Sequence, residues 1–230
     1  MSIELKQLDT DEILRYMGCP PDQAGADLRN QAQLCGRHIC QTARLRWAWR
    51  CYDILQEENG VRLSCGLLLP GRDLKAHLEG CVRAVVFCMT LGAAVDVLIR
   101  KTQSGDMLQG LALDCAADTA VEQGCDQIEL ELQAMFPGCS FPFRYSPGYG
   151  DLPLTVQGEF LSLLDAPRRV GLTASASHIL IPRKSVTAIL GVSDREIARN
   201  KRSCLGCPAL GGTAQGGCQY RKAGGHCGLL

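Results

Sequence analysis

Four cysteines near the carboxyl end of the chain are the residues whose type and spacing best suit metal binding. Cys204 and Cys207 form a Cys-x-x-Cys pair, and Cys218 and Cys227 follow before the chain ends. A thiolate pair at this spacing suits zinc or an iron-sulfur cluster, and the other two cysteines would complete four ligands. His226 could replace Cys227. Spacing does not separate zinc from iron-sulfur, and a redox-active dithiol and an inert tail stay open as alternatives.

A carboxylate on a long helix is the second feature with chemical potential. The pattern predicts one helix from Met107 to Met135, and at ~100° per residue Leu108, Leu111, Cys115 and Glu122 share one face, which we expect to be interior. An unpaired buried carboxylate is costly, so Glu122 should meet a positive charge or donors from the protein or from a ligand. An internal pair with an arginine, or a helix edge open to water, would explain the same pattern without a ligand.

The segment from Phe141 to Pro153 is the third such feature, because it combines prolines, glycines and aromatic residues. Such a composition predicts a loop with a fixed backbone. Gly148 and Gly150 allow close approach to a bound molecule, while Arg144 and Tyr149 supply a cation and an amphipathic ring. Loops of this kind often carry function, although a purely structural turn would have the same composition.

Periodicity and turn signals predict the elements that must position these residues. An Asn59-Gly60 pair between two apolar runs indicates a hairpin. We expect helices at 11–16, 22–46, 73–79, 93–101, 157–164 and 194–200, and strands at 47–55, 61–68, 82–90, 170–174 and 185–190.

Composition excludes several classes of function. Apolar residues make up 46% of the 230 residues, and 24 Lys and Arg balance 24 Asp and Glu. A neutral chain lacks the excess of positive charge that nucleic-acid binding requires, so we expect no nucleic-acid partner. No run of roughly 18 apolar residues and no signal peptide is present, so we expect no membrane association and a cytoplasmic location.

The histidines and most of the 14 cysteines suggest packing rather than chemistry. The ten cysteines before the tail sit singly in apolar patterns, which is typical of small reduced side chains in a core. His38, His77 and His178 are isolated in the sequence and are expected at the surface or packed. The chain also has no phosphate-binding glycine loop and no nucleophile elbow, so no residue is predicted to be catalytic.

The loop resembles a known family at specific positions. Arg144-Tyr-Ser-Pro-Gly-Tyr149 is similar to the Arg-x-x-Pro-Gly-Tyr segment of the activation domain of cobalamin-dependent methionine synthase. Ala117-Asp-Thr-Ala-Val-Glu122 resembles the helix that presents a ligand-binding glutamate in that family. The opening Glu12-Ile-Leu-Arg-Tyr-Met-Gly18 resembles that of stand-alone members.

This resemblance implies roles for individual residues in binding S-adenosylmethionine. Arg144 would pair with the carboxylate of the ligand and Glu122 would accept from its amino group. Ser146, Pro147 and Gly148 would form the tight turn that contacts the ligand through its backbone. Tyr149 would lie against the ligand and help to place the sulfonium methyl group.

The resemblance also implies the fold, the partners and the organisation of the chain. We expect an α+β protein with one domain over residues 1–200, in which helices flank a mainly antiparallel sheet, and a Cys-rich tail at 201–230. The chain has no Asp-x-His-x-x-Gly cobalamin motif, so cobalamin would reside on a partner protein. An electron donor would also be needed. The expected role is an accessory protein that reactivates methionine synthase, with another corrinoid methyltransferase as client, or a non-catalytic metal-binding module, as alternatives.

Overall fold

The computed structural model describes residues 3–197. Seven α-helices, one 3-10 turn and seven strands follow one another along these residues. They are α1 Thr10–Tyr16, the 3-10 turn Pro21–Gln23, α2 Ala26–Thr42, β1 Arg46–Glu57, β2 Gly60–Leu63, β3 Leu68–Pro70, α3 Arg72–His77, β4 Arg83–Thr90, α4 Ala93–Gln103, α5 Met107–Met135, α6 Val156–Leu163, α7 Ala166–Val170, β5 Thr173–Ala174, β6 Leu180–Ile181 and β7 Ser185–Val192.

A five-stranded antiparallel sheet has the order β3-β2-β1-β4-β7. The Asn59-Gly60 turn joins β1 to β2, which pair in register from Glu57 opposite Gly60 to Ile54 opposite Leu63. Just before β4, Val82 hydrogen-bonds through its backbone to Ile54 of β1 and to Val192 at the end of β7. Just after β4, Leu91 hydrogen-bonds through its backbone to Arg44 and Lys184, which precede β1 and β7. The expected α+β class, with a mainly antiparallel sheet and flanking helices, is confirmed.

The described residues divide into two compact units. The first comprises 3–50, 86–137 and 154–188, and the second comprises 51–85, 138–153 and 189–197. In the first unit α5 packs against α1, α2 and α4. Asp9 accepts from two backbone amides at the start of α1, and Asp106 accepts from the Gln109 amide at the start of α5. These caps satisfy donors that have no partner within the helix.

The second unit holds β2, β3 and α3 in full, together with the loop at 138–153. Leucines of β2, β3 and α3 form its core, and α3 packs against β2. The fully buried members of this core are Leu63, Leu69, Leu74 and Leu78. The loop therefore lies in the same unit as α3.

The interior face predicted for α5 is wrong at its amino end. Leu108 and Leu111 are 57% and 46% exposed, whereas Cys115 is buried and Glu122 is only half-buried. The helix buries Leu113, Ile128 and Leu132 and many small residues, among them Gly110, Ala112, Ala116, Ala117, Ala120 and Gly124. Three helices pack against α5, and helices approach closely where the side chains between them are small. A prediction based on large apolar residues gives such small side chains little weight.

Most other predicted elements are present, with four corrections. The strand expected at 61–68 is two strands, β2 and β3, with a turn between them. The second helix is shorter than expected, because Pro21–Gln23 forms a separate 3-10 turn and α2 ends at Thr42. The strand expected at 170–174 is extended only at Thr173–Ala174, because Val170 ends α7 and residues 171–172 belong to neither element. The helix expected at 194–200 is absent from its described part, 194–197. There the Asp194 side chain bonds to Arg83.

Candidate functional site

The loop at 138–153 is fixed to the sheet through its backbone. Ser140 and Ser193 exchange two backbone hydrogen bonds of 2.8 and 2.9 Å, and Tyr145 and Ile189 exchange two more of 2.9 and 2.8 Å. Ile189 lies in β7 and Ser193 directly follows that strand. The predicted loop without regular structure is therefore confirmed, and its position is set by these two bridges.

The tip of the loop is a tight turn over the residues that match the family motif. The Tyr149 amide donates to the Ser146 carbonyl at 3.1 Å, and the Gly148 amide donates to the Leu152 carbonyl at 2.9 Å. Gly148 has a φ of 91° and Gly150 a φ of 50°, values at which a side chain is disfavoured. Pro147 is buried beneath the turn, whereas residues 148–150 are exposed. The turn thus presents bare backbone to solvent.

Two side chains on the turn differ in their environment. Arg144 is only 4% exposed and interacts with other groups of the protein, as a buried guanidinium must. The ring of Tyr149 is 55% exposed. It meets the ring of Tyr145 edge-on, with 6.0 Å between the ring centroids. The turn therefore combines a positive charge in a buried setting with an aromatic ring accessible from outside.

Tyr145 and His77 form an aromatic cluster behind the turn. The His77 ring lies 4.3 Å from that of Phe143 and 5.1 Å from that of Tyr145. Burial, together with the carboxylates of Asp73 and Asp151, raises the pKa of Tyr145 to about 12, so its hydroxyl stays protonated at neutral pH. His77 is the packed histidine that the sequence predicted.

Glu122 lies in the first unit, on α5, one turn beyond Asp118. Asp118 and Asp114 both pair with Lys184, whose Nζ is 2.7 Å from Asp118 Oδ1 and 3.0 Å from Asp114 Oδ1. Burial raises the pKa of Asp118, the bond from Lys184 lowers it, and the charges of Asp114 and Glu122 raise it. Glu122 itself interacts with other groups of the protein. Three carboxylates thus follow one another along the helix, and two of them pair with Lys184.

The structure brings together five of the six predicted ligand-binding residues. Arg144, Ser146, Pro147, Gly148 and Tyr149 occupy one turn of the second unit, whereas Glu122 belongs to the first. Their joint binding of one ligand stays a prediction.

Lys184 and Asp151 are residues near these sites that the sequence did not single out, and His77 was expected only as a surface or packed histidine. The partners of the Lys184 side chain lie 66 and 70 residues away in the chain, the hydrogen-bond partner of His77 lies 66 residues away, and those of Asp151 lie 78 and 79 residues away. Nothing in the local sequence signals such contacts. Only the position of Asp151, inside the loop, could have drawn attention to it.

The predicted metal site lies outside the described residues, because Cys204, Cys207, Cys218 and Cys227 all follow residue 197. Within 3–197, no group of three or more His, Cys, Asp or Glu side chains is arranged to hold a metal ion. The ten cysteines in this range are free thiols, and five of them are buried. In the same range no helix has both the length and the apolar character needed to cross a membrane.

Comparisons with known proteins identify the fold. No family model matches the sequence, and no curated protein sequence matches it significantly. Among solved structures, the chain is similar to the MetH reactivation domain bound to AdoHcy, with a TM-score of 0.60 and 12% sequence identity. The match covers 95% of this chain and 82% of the other. At this identity the match establishes the fold alone, and it confirms the fold expected from the sequence resemblance.

Proposed function

We propose that this protein binds S-adenosylmethionine and serves as an accessory protein in the reductive remethylation of cobalamin held by a partner. The observation that carries the proposal is the turn Arg144-Tyr-Ser-Pro-Gly-Tyr149, with its buried guanidinium and exposed ring, in a chain with the fold of the MetH reactivation domain. That domain was crystallised with AdoHcy. AdoHcy is what S-adenosylmethionine becomes when it gives up its methyl group.

The residues of the turn suit the amino acid end of this ligand. A guanidinium pairs with a carboxylate through two parallel hydrogen bonds, and this pairing is strongest where water is scarce, as it is at Arg144. Gly148 and Gly150 leave the backbone open to close approach, because neither carries a side chain. The exposed ring of Tyr149 would meet the positively charged sulfonium group, an arrangement favoured by the negative face of the ring.

Glu122 is proposed to accept a hydrogen bond from the amino group of the ligand. Asp114, Asp118 and Glu122 place three carboxylates on one stretch of α5, and the charge of Glu122 raises the pKa of Asp118. A cationic amino group would be attracted to this stretch. Cobalamin on the partner would provide the metal that, after a one-electron reduction, takes the methyl group. The contribution of this chain is to bind and orient the methyl donor.

Titration calorimetry with S-adenosylmethionine tests the proposal on the full chain. We expect Glu122→Gln and Arg144→Lys each to weaken binding ~10-fold or more, because each removes a charged contact or its paired geometry. Arg144→Lys is chosen because it keeps a positive charge in the buried position. Arg168→Ala serves as a control, since that side chain is 86% exposed and forms a surface pair with Asp165.

Absence of binding by the wild-type chain at millimolar S-adenosylmethionine would reject the proposal and favour the non-catalytic metal-binding alternative. If binding occurs, the client is identified by the absorption spectrum of cobalamin. Mixing the chain, S-adenosylmethionine and a reductant with methionine synthase, or with another corrinoid methyltransferase, should produce methylcobalamin only with the true partner.

A further inference from the structure

We propose that Asp151 and His77 are positioning residues that fasten the loop to the two ends of α3 and so fix the turn that carries Arg144 and Tyr149. The consequence of this fastening for ligand binding rests on the proposed function. All of its groups lie in the second unit.

Asp151 holds the end of the loop on the amino end of α3. Its Oδ2 accepts from the Arg72 amide at 2.6 Å, and its Oδ1 accepts from the Asp73 amide at 3.1 Å. The α3 helix has no capping side chain of its own at Gly71. A carboxylate from 79 residues further along the chain therefore takes the place of a local cap.

His77 holds the start of the loop at the other end of α3. Its Nε2–H donates to the Phe143 carbonyl at 2.7 Å, and its ring packs between those of Phe143 and Tyr145. Phe143 and Asp151 flank the motif on its two sides. The turn from Arg144 to Tyr149 is thus held at both ends by one short helix.

The glycines at these contacts show how closely the loop and α3 approach. A Cβ atom added to Gly71 would overlap the carboxylate of Asp151, and Gly71 has a φ of 129°. A Cβ atom added to Gly150 would overlap the Tyr145 hydroxyl and the Asp73 carboxylate. Contacts this close leave the turn little freedom, which lowers the entropy lost when a ligand binds.

Hydrogen exchange of the full chain without ligand tests the fastening directly. We expect Asp151→Ala to speed amide exchange across 144–152 by roughly tenfold, the effect of losing a capping side chain. Asp151→Asn keeps one acceptor oxygen and should give an intermediate rate. His77→Phe keeps the ring contacts but loses the donor, and should speed exchange near Phe143. Asp9→Ala is the matched control, because it removes the cap of α1 in the other unit.

Titration of S-adenosylmethionine into the same variants tests the consequence. If the fastening positions the turn, affinity falls by roughly tenfold in Asp151→Ala, partly recovers in Asp151→Asn, and is unchanged in Asp9→Ala.

Exchange across 144–152 that is equal in Asp151→Ala and wild type would overturn the inference. So would faster exchange with undiminished affinity, which would show that Asp151 only caps α3. If the wild type binds no S-adenosylmethionine, the proposed function fails and the exchange rates alone decide whether the loop is fastened.

Discussion

Burial determines what each ionisable side chain of the loop contributes. Arg144 keeps its charge at any physiological pH, and it is almost completely removed from water. Tyr145, next in the chain, stays neutral because its pKa is about 12. Tyr149 is exposed and therefore available to a ligand. Adjacent positions on one turn thus supply a cation, a neutral support and an accessible ring.

His77 gives the protein a stability that depends on pH. Burial lowers its pKa below the ordinary 6.5, against the opposing effect of its bond to Phe143. At pH values between the pKa of folded His77 and 6.5, the unfolded chain binds more protons than the folded one. The stability is therefore full above pH 6.5 and decreases as the pH falls below it. We expect denaturant unfolding between pH 7 and pH 5 to show this decrease.

The variant His77→Gln should be less stable at pH 7, but its free energy of unfolding should change less with pH. The difference in slope from wild type should not exceed that of one bound proton. His38→Gln, at an exposed histidine of α2, is the control for a histidine-to-glutamine change as such. If the stability of His77→Gln depends on pH as strongly as that of wild type, His77 is not the source of this dependence.

At the scale of elements, α5 is positioned in part by close contacts at its small residues. Gly110, in the first turns of α5, lies against Gln103 at the end of α4, and an added Cβ would be 2.9 Å from the Gln103 backbone nitrogen. This approach sets how the chain turns from α4 into the helix that carries Glu122. A backbone contact cannot be relieved by rotating a side chain.

We expect Gly110→Ala to destabilise the protein by about 1–3 kcal/mol, because overpacking outweighs the gain in helix propensity. Gly158→Ala is the matched control in α6, where an added Cβ meets nothing within 4 Å. That variant should be more stable by about 0.5–1 kcal/mol. Thermal or urea unfolding measures both, and a stabilised Gly110→Ala would contradict the packing argument.

For the whole chain, the cysteine tail is proposed as a second region with its own chemistry. The division into 1–200 and 201–230 rests on composition, since the four tail cysteines lie beyond the described residues. A cluster there would be attractive because the proposed remethylation requires an electron. Zinc would instead give the tail a structural role.

Metal analysis of the anaerobically purified chain separates these alternatives. We expect iron with acid-labile sulfide and a brown colour for a cluster, or colourless protein with zinc, and loss of the metal in the double variant Cys204→Ser, Cys207→Ser. Cys65→Ser is the control, because this exposed cysteine lies in the β2–β3 turn. Metal-free wild-type protein would leave the redox dithiol and the inert tail as explanations.

The sequence predicted well those features that depend on neighbouring residues. The bounds of α5, the Asn59-Gly60 hairpin and the irregular loop at 141–153 all follow from periodicity, turn chemistry and composition within a short window. The motif at 144–149 also needs only six consecutive residues. These are the features for which local interactions and the final structure agree.

Tertiary structure alone decided which face of α5 is buried, which helix caps are supplied from far away, and which charges meet. Leu108 and Leu111 are exposed although their spacing favours burial, because the side of a helix that is covered depends on the elements packed around it. Asp151 reaches α3, and Lys184 reaches Asp118, across more than sixty residues. Such contacts arise when the folded chain brings distant segments together, and no local pattern encodes them.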